Sequence, residues 1–145
     1  MKPIEIFQAG IRELDAIMIP YGFVFDSVQE GRSSGGRFVN GEYCRGNRRL
    51  ELHFRWSLGL VTYHVRDVSL GHEDYVRALI GLSKVQGRNC YPGFSTDPLD
   101  GFRHLREDLE RFGEVFLKGS DEEFHSLKDW IDVHPKFMGI RGLLR

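Results

Sequence analysis

Apolar residues recur at Ile4, Phe7, Ile11, Leu14, Ile17 and Met18, with Gln8, Arg12, Glu13 and Asp15 between them. That spacing predicts an amphipathic helix over residues 3 to 19, stopped by Pro20 and Gly22. From Phe23 to Asp67 the pattern changes to short alternating runs punctuated by glycine, the mark of an antiparallel meander. Four strands are expected, near residues 23 to 30, 36 to 44, 48 to 56 and 60 to 67. Helical spacing then returns. Ser69 is placed to cap a helix from Leu70 to Lys84 that carries Tyr75, Val76, Leu79, Ile80 and Leu82. A third helix is expected to begin inside Asp97-Pro98-Leu99-Asp100, where proline tolerates the first turn and acidic groups suit the positive helix end. Its stripe is Phe102, Leu105, Leu109, Phe112, Val115 and Phe116, and Gly119 ends it. Ser120-Asp121-Glu122-Glu123 spells a capping box for a fourth helix, which buries Phe124, Leu127, Trp130 and Ile131 and stops before Pro135.

The order α-β-β-β-β-α-α-α predicts an α+β fold. It is a two-layer sandwich: a roughly four-stranded antiparallel meander with helices mainly on one face. Residues 1–145 read as one domain, without repeat, linker or low-complexity tract. The tail from Phe137 to Arg145 holds Phe137, Met138, Ile140, Leu143 and Leu144. It is too apolar to be left in water and is expected to pack back onto the body. Exchange of such a tail between subunits leaves a homodimer open.

Residues 50 to 66 carry the sharpest alternation. With Leu58-Gly59 as a two-residue turn, Leu52 faces Val65, Phe54 faces Tyr63 and Trp56 faces Val61, an apolar face. The opposite face pairs Glu51 with Arg66, His53 with His64 and Arg55 with Thr62. A turn at Gly46-Asn47 extends this pattern, placing Asn40 beside His53, Glu42 beside Glu51 and Phe38 beside Arg55. The polar face therefore gathers Glu42, Glu51, His53, Arg55, His64 and Arg66 as candidate ligand- or partner-binding residues. Cross-strand neighbours stand about 5 Å apart at Cβ, close enough for imidazoles and carboxylates to act together. A solvated one-sided sheet shows the same alternation, however. Two histidines also fall short of the three protein ligands usual at catalytic zinc, so no metal or cofactor is expected.

The chain has 145 residues, 41% hydrophobic and 28% charged, with 11 Phe, 5 Tyr and 2 Trp, a globular balance that excludes disorder. Charged residues come too early for a secretory leader, and no window is apolar enough to span a membrane. Cys44 and Cys90 have no CxxC partner, so reduced thiols and a cytoplasmic setting are expected. Net charge is −1. Residues 31 to 66, however, carry seven Arg against Glu42 and Glu51, whereas residues 97 to 133 carry eleven acids against five bases. The basic stretch suits an acidic protein partner or a small anionic ligand. Near-neutral overall charge, with only Phe38 aromatic on the polar face, argues against nucleic acid.

Other signals are weaker. Gly31-Arg32-Ser33-Ser34-Gly35-Gly36-Arg37 is glycine-rich but lacks a P-loop ending and joins two strands, so a mobile hairpin loop is expected. Residues 85 to 96 form a long connection whose Cys90, Tyr91, Phe94 and Ser95 anchor it to the core or make it a lid. His104 and Asp108 lie one helical turn apart among charges and read as part of an exposed, ion-paired face. The sequence points first to a non-catalytic binding module, immunity- or regulator-like, using an arginine-rich sheet face. The alternative is a small-molecule or metal-dependent enzyme built on the Glu/His/Arg group of the same face.

Overall fold

The computed structural model describes residues 2–136. The amphipathic stripe of the N-terminal segment becomes α1 (Pro3–Met18), followed by a single 3-10 turn, Ile19–Tyr21. Five strands then form an antiparallel meander in sequence order: β1 (Val24–Ser33), β2 (Gly36–Arg45), β3 (Arg48–Phe54), β4 (Leu58–Val65) and β5 (Val68–Gly71). The helices α2 (His72–Gly81), α3 (Asp100–Phe112), α4 (Glu114–Lys118) and α5 (Asp121–Val133) follow. The α+β sandwich expected from the sequence is what forms.

One hydrophobic core joins the layers. It gathers Phe7, Leu14 and Met18 of α1, Leu50, Leu52, Tyr63 and Val65 of the sheet, and Phe102, Phe116 and Phe124 of the later helices. α1 lies close to α3 because Gly10 has no side chain, leaving its place to the Phe102 ring. Among the described residues no helix covers the other face of the sheet. It shows Glu42, Arg49, Glu51, His53, Thr62, His64 and Ser69, all at least partly exposed.

Several boundaries differ from the periodic reading. Val68–Gly71 is a fifth strand, so Ser69 caps nothing and α2 begins at His72 with Gly71 ahead of it. The turn before β5 holds Arg66 at φ 56, and the chain reverses there instead of entering a helix. The glycine-rich stretch is no loose loop: pairing continues through Arg32 with Arg37 and Ser33 with Gly36, leaving only Ser34-Gly35 at the tip. The predicted third helix is split at Gly113. There the Tyr75 hydroxyl donates to the Phe112 carbonyl at 2.8 Å and accepts from the Phe116 amide at 3.2 Å. It takes the place of the helix's own i to i+4 bond.

The β3–β4 register also moves. Leu52 pairs with Val61, Leu50 with Tyr63 and Glu51 with Thr62, with an irregularity between Leu52 and Phe54. The predicted partners were four residues further along β4. An even shift leaves every side chain on its own face, because alternation specifies parity and leaves register open. Leu52, Phe54, Val61, Tyr63 and Val65 are accordingly buried as expected, but Trp56 falls in the turn and is 75% exposed. The β2–β3 register matches, with Asn40 opposite His53 and Glu42 opposite Glu51. The Ser120 capping box forms in both directions, at 3.1 and 3.0 Å. The expectation that the apolar tail packs back falls on residues outside those described. No described helix is long and apolar enough to cross a membrane.

Candidate functional site

The six residues predicted for the polar face do not converge on one point. Three groups result. Glu51 and His64 meet: His64 Nε2 lies 2.8 Å from Glu51 Oε1, and its Nδ1 lies 2.6 Å from Ser69 Oγ on the neighbouring strand. Glu42 pairs with Arg49 at 2.8 Å, and its other oxygen accepts from the Cys44 thiol at 3.3 Å. His53 stacks on Phe38 with ring centroids 5.5 Å apart, and the Arg55 guanidinium lies 5.8 Å from the Phe38 centroid. The Phe38 ring also covers Gly31 across the strand pair. The predicted pair of His53 with His64 is absent, because the shifted register sets Arg49 opposite His64.

Arg66 is not on this face. β4 ends at Val65, and Arg66 turns toward the helical layer, where its Nε donates to Asp121 at 2.7 Å. Burial and the two neighbouring carboxylates, Glu42 foremost, push the Cys44 thiol up to about 11. A bulge at Asp26 in β1 brings a third group alongside, so ligand atoms of Asp26, Glu42 and Cys44 lie within 4.8 Å of one another. Of the described residues, these are the ones that offer a cation three converging donors.

The arginine-rich stretch turns out to be divided in its duties. Arg48 is buried and donates to the carbonyls of Val115, Phe116 and Gly119 and to Asp121. Arg45 donates to the carbonyls of Tyr21 and Leu117. Arg49 and Arg66 hold carboxylates, and Arg55 holds Gly36 O at 3.2 Å and Ser33 Oγ at 2.8 Å. Arg32 and Arg37 stand apart. They face each other across the β1–β2 ladder, both exposed, and among the described residues neither meets a carboxylate. The Trp56 indole approaches Gly36 beside them.

A second polar constellation lies in the core around Asp108, which the sequence pattern places on an exposed, ion-paired face. Asp108 is fully buried. It accepts from His72 Nε2 at 2.8 Å and from the amides of Cys90 and Tyr91 at 2.6 and 2.8 Å. His72 Nδ1 in turn meets the Tyr63 hydroxyl at 2.7 Å. The long connection is thereby anchored rather than free. Tyr91 is buried and its hydroxyl donates to the carbonyls of Leu58 and Gly59, whereas Phe94 is 86% exposed and anchors nothing. Asp108 sits in the row Phe102, Leu105, Leu109, Phe112, displaced by one position. That placement is the one sequence signal that would have marked it as inward-facing. His104, one turn before Asp108, is half-buried beside Gly93.

Comparison with known proteins finds no matching family model, no matching curated protein and no matching solved structure. The functional reading therefore rests on geometry.

Proposed function

We propose that this chain is a non-catalytic binding module that holds an acidic partner at the distal end of the β1–β2 hairpin. One observation carries the reading: Arg32 and Arg37 oppose each other directly, without a carboxylate among the described residues to neutralise them. Like charges placed directly across a ladder destabilise it, and a bound anion removes that cost. Arg55 adds a third guanidinium at the hairpin tip and exposed Trp56 an apolar anchor, the residue types that dominate binding energy at interfaces. A guanidinium fork suits carboxylates in particular. The rest of the open face is close to neutral, its Arg49 and His64 already paired with Glu42 and Glu51.

A fluorescent oligoglutamate peptide tests this. Its binding is expected to weaken with added salt and to fall at least about tenfold in Arg32→Ala/Arg37→Ala. Arg12→Ala on the exposed side of α1 should leave it unchanged. Equal binding by all three proteins, or insensitivity to salt, overturns the reading.

A second reading follows from the Ser69, His64 and Glu51 chain, in which a hydroxyl, an imidazole and a carboxylate are linked at 2.6 and 2.8 Å. That is the arrangement of an activated serine. It would make the chain a hydrolase acting at the open face, and a fluorophosphonate probe should then label Ser69 in the wild type and not in His64→Ala. Absence of labelling removes this reading.

A further inference from the structure

A cavity of about 810 Å3 forms a groove along the outer side of β4, floored by Leu58, Val61, His72 and Tyr91. It exists because two neighbouring strands differ in length. β4 runs for eight residues, but β5 pairs only with Thr62–Val65 before the chain turns into α2. The outer edge of Leu58–Val61 has no strand partner among the described residues. Exposed strand edges in native proteins are normally charged, kinked or covered. Leu58-Gly59-Leu60-Val61 carries no charge, and Leu60 is 74% exposed at the groove. This edge has the chemistry of one that is covered.

The chain itself supplies a cover. α5 ends at Val133, and Pro135 and Lys136 line the same groove. Arg77 holds this exit in place by donating to the His134 carbonyl at 2.8 Å. The next residues are Phe137-Met138-Gly139-Ile140-Arg141-Gly142-Leu143-Leu144-Arg145. Nine extended residues reach up to about 30 Å, whereas the uncovered part of β4 measures about 13 Å. Of the carboxylates on the groove walls, Asp74 pairs with Arg77 and Asp132 with Lys128, which leaves Glu73 available to a segment whose only ionic side chains are Arg141 and Arg145.

We propose that the groove is the seat of residues 137–145 of the same chain, joined to the free edge of β4 by backbone hydrogen bonds. This is addition of a strand to an open edge, with the apolar side chains filling the groove. The inference does not depend on the acidic-partner reading, whose opposed arginines, Arg32 and Arg37, belong to β1 and β2 and not to β4.

Hydrogen exchange on the full-length protein reads the arrangement directly. In Leu143→Asp/Leu144→Asp the amides of residues 58–61 should exchange at least about tenfold faster than in the wild type, while those of β3 keep their rates. Unchanged rates at residues 58–61 overturn the proposal. A dimeric wild type that the double substitution converts to monomer also overturns it, in favour of exchange between two copies. Should the double variant lose protection throughout, Leu60→Cys/Ile140→Cys in a Cys44→Ser/Cys90→Ser background gives the answer. Mild oxidation is expected to close an intramolecular disulfide in the monomer, and failure to form it counts against the proposal.

Discussion

Asp108→Ala is expected to destabilise the protein by about 3 to 5 kcal/mol, the range for removing one partner from a buried, hydrogen-bonded charged group. The carboxylate is fully buried and accepts three hydrogen bonds, from His72 and from the amides of Cys90 and Tyr91. Removing it leaves three donors without acceptors, and each of the two buried ones, His72 and the Tyr91 amide, costs about 1 to 3 kcal/mol where water cannot reach. A typical domain holds only about 5 to 15 kcal/mol in total, so this one change takes a large share. Urea unfolding should show the midpoint falling with an unchanged slope. Limited proteolysis should find new cleavage between residues 85 and 99, because Asp108 ties that connection to α3. Asn at this position keeps the shape but turns one acceptor into a donor, so it should recover only part of the loss. A midpoint within about 0.5 kcal/mol of wild type, the scale of an ordinary surface change, would show that the three donors find other partners.

Arg48→Ala is expected to cost about 2 to 4 kcal/mol, from several charge-assisted hydrogen bonds lost together. Arg48 donates to the carbonyls of Val115 and Phe116 at 3.1 and 2.5 Å, to Gly119 at 2.6 Å and to Asp121 at 3.0 Å. The last carbonyls of a helix have no partner within it, and a cation there also meets the negative end of the helix. Arg45 does the same for Leu117, so two neighbouring strand arginines cap one short helix. Lysine cannot reproduce a fork that reaches four acceptors, and Arg48→Lys should recover little.

A pH titration separates the ionic part of this staple. Hydrogen bonds from Arg66 first, and from Arg48 and Asn47, hold the Asp121 carboxyl down at about 2. A carboxyl lowered on folding stabilises the native state at pH above its unfolded value of about 3.9. That contribution is lost as pH falls toward 2. The wild type should therefore lose stability between about pH 4 and pH 2, and Asp121→Asn should show a flatter curve there. Equal slopes would mean that Arg48 acts through the carbonyls alone.

Both staples show where sequence reasoning reached and where it stopped. The stripes of α1, α3 and α5, the Ser120 capping box and the alternation of β2 to β4 were all legible, because each depends on residues within a few positions of one another. The candidate face was legible as a face. Its partnerships were not: alternation pairs His64 with His53 and Arg66 with Glu51, whereas His64 meets Glu51 and Ser69 and Arg66 binds Asp121. The acids and bases around Asp108 in sequence suggest a solvent-facing position, yet its neighbours in space are His72 and the backbone of a distant loop.

The amino-acid sequence by itself determined the α+β class, the strand parity and the apolar stripes of the helices, since local spacing and capping chemistry decide these. Only the tertiary structure decided the β3–β4 register, the break at Gly113, the burial of Asp108 and the division of the arginines into staples and a free pair. Each of these depends on atoms brought together from positions tens of residues apart, where alternation and propensity say nothing about which partner is met. The Tyr75 hydroxyl inserted between Phe112 and Phe116 is the plainest case, since no pattern within α3 foretells a donor arriving from α2.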